Sequence, residues 1–439
     1  MIVALISKMR ILFLSNYYPP FSRGGYEQWC QEVATELVRR GHLVSVVTSP
    51  APDRASAARD GEAGAQRCLN LEVEGGLLRT SARLIHGRER SERENLCRLR
   101  RLVTDFAPDV AMIWGMWNVP RSVPALVERL LPGRVAYYLC DYWPSLPNAY
   151  VQQWQNGAAR ALASLPKRLL GKLFLPGLLR EPAIPLRLEH PLCVSGAVRE
   201  ILVRSGVSAA HARVIQGGIQ VDDFKPRALE AWERQDGALK LLYAGRLTPE
   251  KGVHTAIRAL ALVSPRADRP VTLDLVGHGD RRYVDGLKRL VDRGELEGRV
   301  TFRPGVARAE MPGLLARYDA LVFPSEWEEP FARTVIEAMA VGLVVVGTTT
   351  GGTVDVLVEG ETGLTFAAGD RGALAAQIQR LRDDRALGKR LARSARKRVE
   401  ESYTFGRMVD ELEAYLHALG AGNALIPYPF PQCAGEGSQ

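Results

Sequence analysis

Residues 320–342 read ALVFPSEWEEPFARTVIEAMAVG, and several structural signals follow one another in them. Residues 320–323 form a short apolar run, which is typical of a strand buried inside a sheet. A polar loop with two prolines follows, and residues 333–341 have the periodicity of a helix. The apolar run 343–347 then predicts the next strand. This order of elements predicts two parallel strands joined by a helix.

The same alternation extends over the second half of the chain. Each apolar run there is followed by a loop and then by a segment of helical periodicity. Such alternation predicts a doubly wound parallel sheet. We place its strands at residues 239–244, 271–276, 300–303, 320–323 and 343–347.

The first half of the chain has a series of its own. Residues 11–15 predict a strand, residues 27–40 a helix, and residues 43–48 a second strand. After an arginine-rich region, residues 109–114 and 134–139 predict two further strands. The expected fold class is therefore α/β, with two Rossmann-like, doubly wound domains that face each other across a cleft.

The length of the chain also favours two domains. A single hydrophobic core stops growing near about 250–300 residues, and this chain has 439. The boundary is expected in the polar segment 222–237, so that residues 9–225 form the N-terminal domain and residues 226–404 the C-terminal one. The segment 421–439 has three prolines and no periodicity, and we expect it to be disordered.

Composition excludes several classes of protein. The chain is 46% hydrophobic and 24% charged, as ordinary globular proteins are. Its six cysteines include no CxxC pair, which argues against a disulfide framework or a zinc site and favours a cytoplasmic protein. No apolar run reaches the roughly 18 residues of a membrane span. In residues 1–8 the apolar run precedes the basic residues, the reverse of a secretory signal, so we interpret them as an extension before the first strand.

The positive charge lies mainly in the first half of the chain. Residues 1–224 hold 28 lysines and arginines and 20 aspartates and glutamates, which gives +8 of the total +9. An anionic partner is expected, although no nucleic-acid motif accompanies the basic residues and no nucleic acid is predicted. Residues 166–180 alternate bulky apolar residues with cations. They predict shallow insertion into an anionic membrane surface, and burial against the domain is the alternative.

Two glutamates stand where the strand 320–323 gives way to its helix. Glu329 lies in the loop, and Glu337 lies about one turn inside the helix that begins near Arg333. The first N–H groups of a helix are unpaired and its dipole is positive there, which favours a phosphate. Glu329 is then placed to meet a sugar and Glu337 a ribose. The alternative is that Glu329 only favours the helix N-terminus and that Glu337 is solvated.

The segment EPFARTVIEAMA resembles the E-x7-E signature of glycosyltransferase family 4, the retaining enzymes of the GT-B fold. The resemblance covers most of residues 10–405 and is strongest in residues 239–370. Other matching pieces follow in the same order, namely NYYPP at 16–20, GG at 24–25, VS at 194–195, GGI at 217–219, AGRL at 244–247, KG at 251–252, GHG at 277–279, PS at 324–325 and GG at 351–352.

The resemblance implies a donor site in the C-terminal domain. Glu329, Arg246 and Lys251 would be the catalytic residues, and the two cations would grip the donor diphosphate by charge, without a metal or other cofactor. The other donor-binding residues that it implies are Gly24, Gly25, Gly277, Gly279, Val306, Phe331, Ala332, Arg333, Thr334 and Glu337. Apart from the resemblance, a solvated basic loop at 246–251 and a plain turn at 24–25 remain alternatives. Glu27 is expected to cap the next helix.

The N-terminal domain is expected to contribute the acceptor side. Residues 138–144 follow an apolar strand and should face the cleft. The family often has His-Asp here, and its histidine contacts the transferred sugar, but this chain has Cys140 in the place of the histidine. Core packing is the alternative for the aromatic residues of this segment. The predicted acceptor-binding residues are Asp141, Trp143, Trp117 and Asn118.

The predicted reaction moves a sugar from a nucleoside-diphosphate sugar to a hydroxyl acceptor with retention, by front-face displacement. The resemblance also implies a helix at about 405–420 that crosses back to the first domain. Envelope polysaccharide or glycolipid synthesis, in the cytoplasm or at the inner membrane face, is the expected setting. Two alternatives remain. A non-catalytic nucleotide-sugar-binding subunit would not need Glu329, and a hydrolase or epimerase would need an acid/base that position 140 lacks.

Overall fold

The computed structural model describes residues 8–22, 24–50, 64–73, 87–155, 179, 184–226, 232, 237–264 and 269–422. The extension 1–7, most of the predicted membrane-surface stretch 166–180 and the tail 423–439 lie outside the described residues.

The first sheet has seven parallel strands in the order β3-β2-β1-β4-β5-β6-β7. Strands β4 and β5 are buried throughout, as expected for a parallel sheet that helices cover on both faces. The strands are β1 Arg10–Leu14, β2 Leu43–Thr48, β3 Ala65–Arg67, β4 Val110–Ile113, β5 Val135–Leu139, β6 His190–Cys193 and β7 Arg213–Val214. The helices are α1 Gly25–Arg39, α2 Arg88–Phe106, α3 Ser122–Leu130, α4 Ala149–Gln155 and α5 Gly196–Arg204.

The second sheet has six parallel strands in the order β10-β9-β8-β11-β12-β13. The strands are β8 Leu239–Ala244, β9 Val271–Val276, β10 Val300–Arg303, β11 Ala320–Phe323, β12 Val344–Thr348 and β13 Leu364–Phe366. The helices are α6 Val253–Leu262, α7 Arg281–Arg293, α8 Met311–Leu315, α9 Arg333–Val341, α10 Arg371–Asp383, α11 Arg385–Ser402 and α12 Phe405–Gly420.

The chain passes between the two sheets at two places that lie side by side. The N–H of Ile219 donates to the carbonyl of Tyr403 at 3.0 Å, and the N–H of Phe405 donates to the carbonyl of Ile219 at 2.8 Å. The segment 215–238, which separates the sheets, contains the predicted boundary 222–237. Helix α12 then packs against α1 and β4 of the first domain.

A cluster of charged and imidazole groups attaches α12 to the first domain. Glu413 on α12 is buried, and its carboxylate lies 2.7 Å from His42 Nε2 and 2.5 Å from Arg40 Nη1. The N–H of Met9 donates to His42 Nδ1, which leaves Nε2 as the ring nitrogen that donates to Glu413. A second imidazole, that of His417, lies with its ring centroid 5.4 Å from that of His42.

Several elements differ from the sequence prediction. Helix α2 lies within the region described only as arginine-rich, and the short strands β3, β6, β7 and β13 were not predicted. The helix expected near residues 309–317 is a 3-10 turn at Arg308–Glu310 followed by the five-residue α8. Within the described part of the chain, no helix combines the length and the apolar character needed to cross a bilayer.

Gly218 allows the two crossings to approach each other. A Cβ at this position would lie 2.3 Å from the carbonyl oxygen of Thr404. We therefore predict that Gly218→Ala lowers the free energy of unfolding by about 1–3 kcal/mol, because backbone must shift to admit the methyl group. Thermal and urea unfolding measure the change.

Gly406 provides the matched control. A Cβ there would meet nothing within 4 Å, and the residue lies in the first turn of α12. Gly406→Ala should be neutral or raise stability by up to about 1 kcal/mol through helix propensity. Equal effects of the two substitutions would contradict the close approach at Gly218.

Candidate active site

A cleft of about 730 Å³ lies between the two domains, where the strands of both sheets end. In open α/β sheets, ligands bind at the carboxyl ends of the strands. Most of the residues predicted from the sequence line this one cleft, namely Gly24, Gly25, Trp117, Asp141, Arg246, Lys251, Gly277, Val306, Glu329, Phe331, Ala332, Arg333, Thr334 and Glu337.

Three predicted residues are not among the lining residues, and each has a structural task instead. Asn118 is buried, and its side chain exchanges hydrogen bonds with the backbone of Val73 at 2.7 and 2.8 Å. Trp143 is 4% exposed, and its ring centroid lies 6.3 Å from that of Tyr137. It therefore packs in the core, which was the alternative to acceptor binding. Gly279 lies against the neighbouring loop, where a Cβ would sit 2.1 Å from the carbonyl oxygen of Leu247. These three residues therefore do not line the cleft, in contrast to the sequence prediction.

Glu329 is held by two groups from different segments. Ser325 donates its hydroxyl proton to Oε1 of Glu329 at 2.6 Å, and Lys251 Nζ lies 2.5 Å from the same oxygen. Only 7% of Glu329 is exposed, so its carboxylate is largely desolvated. The ammonium group of Lys251 compensates that desolvation cost. The ion pair joins the loop after β8 to the loop after β11.

The turn that presents Lys251 depends on the glycine after it. Gly252 has φ of +64°, and a Cβ there would lie 1.8 Å from the carbonyl oxygen of Pro324. Only glycine combines this left-handed conformation with so close an approach. Arg246, at the start of the same loop, is exposed and lines the cleft.

Helix α9 begins at the floor of the cleft without a side-chain cap. Its N-cap residue is Ala332, whose side chain has no oxygen to accept the first N–H groups of the helix. These N–H groups and the helix dipole favour an anion. Thr334 and Phe331 line the cleft beside them.

Arg333 bridges the two domains. Its Nη2 lies 2.7 Å from Glu32 on α1, and its guanidinium lies 5.2 Å from the ring centroid of Trp29. Trp29 also packs 5.8 Å from Phe331 and donates its indole proton to the carbonyl of Gly218. The bridge was not predicted, because no pattern in the sequence links α1 to residues some 300 positions away.

Glu337 is paired with two arginines. Its Oε1 lies 2.9 Å from Arg333 Nε and 2.5 Å from Arg308 Nη1, and the residue is 1% exposed. Sequence reasoning missed Arg308, which stands in the loop after β10. The only sign of it in the sequence is its position two residues after Val306. A basic residue at that position does not by itself indicate that it pairs with Glu337.

The wall formed by the first domain carries Asp141. Its Oδ1 accepts the N–H of Trp143 at 3.0 Å, and burial, with a smaller contribution from the charge of Glu27, raises the pKa of Asp141 to about 7. Burial also raises the pKa of the Cys140 thiol well above its usual value, so the group in the place of the family histidine is neutral. Glu27 caps α1 as expected, accepting the N–H of Gly24 at 2.8 Å.

A second contact across the cleft involves aromatic residues. Tyr142 donates its hydroxyl proton to the carbonyl of Glu328 at 2.8 Å, and its ring lies 6.0 Å from Trp327. Trp327 lines the cleft and is 44% exposed, which is unusual for so large an apolar side chain. Trp117 lines the opposite wall and donates to Gln152.

Solved structures with the same fold cover nearly the whole chain. Anabaena HepE, crystallised with UDP and glucose, superimposes with a TM-score of 0.66 at 22% identity and covers 93% of this chain and 99% of its own. Sucrose-phosphate synthase from Thermosynechococcus elongatus gives 0.68 at 20% identity over 94% of this chain and 99% of its own. These likenesses confirm the predicted GT-B fold class.

Comparison by sequence identifies the family. A glycogen synthase of Mycobacterium tuberculosis is 28% identical over 411 residues, which are 90% of this chain and 91% of the relative. The family model described as Glycosyltransferase Family 4 matches residues 23–223, and the model described as Glycosyl transferases group 1 matches residues 224–398. The predicted resemblance is confirmed, and the chain belongs to glycosyltransferase family 4.

Proposed function

We propose that the chain is a retaining glycosyltransferase that takes its sugar from a nucleoside-diphosphate sugar, without a metal, and passes it to a hydroxyl acceptor. One observation carries the proposal. The cleft brings together two cations, an uncapped helix N-terminus and two buried glutamates, on Arg246, Lys251, α9, Glu329 and Glu337. This set matches the charges and hydroxyl groups of such a donor.

The donor diphosphate would lie between Arg246, Lys251 and the first N–H groups of α9. We expect Lys251 to turn from Glu329 towards the phosphate, because a diphosphate carries more negative charge than a single carboxylate and attracts the ammonium more strongly. That movement leaves Oε1 of Glu329 to the hydroxyl groups of the sugar. Ser325 still holds the carboxylate in place. Binding of the diphosphate and orientation of the sugar are thereby coupled.

The reaction would proceed by front-face displacement. A double displacement needs a carboxylate that is free to attack the anomeric carbon. Of the carboxylates that the described residues bring to the cleft, Glu27 caps α1 and Glu337 is paired with two arginines. Asp141 accepts the N–H of Trp143, and burial disfavours its charged, nucleophilic form. Glu329 would be taken up by the hydroxyl groups of the sugar once Lys251 has turned to the phosphate. The departing diphosphate then takes the acceptor proton, while Arg246, Lys251 and the helix dipole stabilise its charge. Asp141 and Trp117 on the opposite wall would face the acceptor.

The acceptor would be a glycan or glycolipid of the cell envelope, handled in the cytoplasm or at the inner membrane face. The excess of basic residues in the first half of the chain supports an anionic acceptor or surface. The alternative of a non-catalytic nucleotide-sugar-binding subunit is less well supported, because Ser325 and Lys251 both hold Glu329 at the cleft.

The role of Glu329 is tested by Glu329→Gln. We expect turnover of the accepted donor to fall by about 100-fold or more, because an amide cannot replace the charge beside the developing transition state. Glu328→Gln, in the same loop but exposed, should keep the wild-type rate. The donor is first identified by thermal shift with UDP- and GDP-sugars in EDTA, since a ligand of the folded state raises Tm.

Two results would contradict the proposal. Unchanged turnover of Glu329→Gln would remove the catalytic assignment, and binding of donors only after a divalent metal is added would remove the metal-free one. Proton NMR of the product tests retention, and inversion at the anomeric carbon would exclude front-face displacement.

The raised pKa of Asp141 predicts a pH-dependent cost to folding. Between about pH 4 and pH 7 the folded chain holds a proton that the unfolded carboxyl group has lost. Stability therefore falls as the pH rises through this window. Asp141→Asn lacks this cost, so its Tm relative to wild type should be about 5–10 °C more favourable at pH 8 than at pH 5. Asp222→Asn, at an exposed site, should show no such trend, and a flat difference for Asp141→Asn would contradict the assignment.

Membrane association of residues 166–180 remains a proposal from the sequence. Flotation with vesicles tests it, and we expect binding to vesicles containing anionic lipid and not to neutral ones. Replacement of Lys167, Arg168 and Lys172 by glutamine should abolish flotation. Binding that does not depend on lipid charge would remove the proposal.

A further inference from the structure

The loop after β10 brings a second arginine to the buried glutamate of α9. Arg308 Nη1 lies 2.5 Å from Glu337 Oε1, and Arg333 Nε lies 2.9 Å from the same oxygen. Both cations therefore hold one oxygen of the carboxylate. The other oxygen, Oε2, has no hydrogen-bond partner among the residues that the structure describes, and Glu337 lines the cleft.

Arg308 is itself fixed by its surroundings. It begins a 3-10 turn that is capped by Glu310, whose side chain accepts the N–H of Ala307 at 2.8 Å. Its guanidinium lies 5.7 Å from the ring centroid of Phe224, a buried residue of the segment between the two domains. In the described part of the chain, Glu337 is the acidic partner of Arg308, whereas Arg333 divides its donors between Glu337 and Glu32.

A carboxylate held in this way suits the recognition of two neighbouring hydroxyl groups. Anchoring Oε1 by two guanidinium groups prevents rotation of the carboxylate and aims Oε2 in one direction. A buried acceptor oxygen that is already oriented gains more binding free energy from a ligand hydroxyl than one that must be ordered on binding. When the ligand lacks that hydroxyl, the buried oxygen stays unpaired, and binding is weakened by a correspondingly larger amount.

We propose that Arg308 is a positioning residue, which orients Glu337 towards the ribose hydroxyl groups of the donor and makes the site selective for ribonucleotides. The inference rests on the proposed function and assigns a cause to part of its specificity. Arg308 also lines the cleft, and the role inferred for it is the one that it plays through Glu337. Removal of Arg308 leaves Glu337 with a single guanidinium that is shared with Glu32, so the carboxylate can turn.

Calorimetric titration with nucleotides tests the proposal. The probes are UDP, GDP and ADP, each compared with its 2′-deoxy and 3′-deoxy forms. The wild-type protein should prefer the ribonucleotide of its base by about tenfold or more, the usual value of a hydrogen bond to a charged group. Arg308→Gln should reduce this ratio to about threefold or less, and Arg308→Lys should restore part of it.

Two further variants separate positioning from a general loss of structure. Arg317→Gln removes an exposed arginine of the same domain that does not line the cleft, and it should keep the wild-type ratio. Glu337→Gln should lose the ratio as Arg308→Gln does, and the double variant should lose no more than either single one. A merely structural role for Arg308 would weaken ribonucleotide and deoxyribonucleotide equally.

The outcomes distinguish the inference from the function on which it rests. An Arg308→Gln protein that keeps the full preference for ribonucleotides overturns the positioning role while the proposed function stands. A wild-type protein that binds a nucleotide without preferring its ribose form overturns the role of Glu337 and of Arg308 together. A wild-type protein that binds none of the three nucleotides overturns the proposed function and this inference with it.

Discussion

The ion pair between Lys251 and Glu329 is the interaction on which the arrangement of the cleft depends. Both groups come from loops at the ends of parallel strands, and burial makes either charge costly without the other. The two groups are in direct contact and largely shielded from water. A third charged group that enters the cleft beside them therefore alters the ion pair. The cleft is therefore poised to respond to an anion, and the same response would free the carboxylate for a sugar.

A second set of charges joins the two domains beside this pair. Arg333 reaches from α9 to Glu32 on α1 and lies over the ring of Trp29. Trp29 in turn contacts the crossing segment at Gly218, which lies against Thr404. Helix α9, the first domain and the crossing segment are thus packed on one another. A ligand that displaces Arg333 from its partners acts on the relative position of the domains as well as on its own site.

Much of the fold and of the second domain's part of the cleft could be predicted from the sequence, because these features are local. The strand, loop and helix at residues 320–342 lie where the apolar pattern predicted them. Lys251 and Gly252 lie in the loop after β8, which its basic residues and glycines had indicated in the sequence. The capping role of Glu27 also follows from neighbouring residues. The predicted family and fold class are confirmed by the comparisons.

The residues that were missed or misplaced depend on contacts between distant segments. Arg308 meets Glu337 only because two loops of the second sheet converge, and Asn118 and Trp143 turn inward because Val73 and Tyr137 offer partners there. Alternation of apolar and polar residues places a side chain near a strand end. It does not say whether that side chain faces the cleft or the core.

The most direct measurement is a crystal structure of the chain with the nucleoside diphosphate that it binds. We predict the β-phosphate within hydrogen-bond distance of Lys251 and of the first N–H groups of α9, with Lys251 turned away from Glu329. A diphosphate bound elsewhere, or one bound while Lys251 and Glu329 remain paired at 2.5 Å, would contradict it.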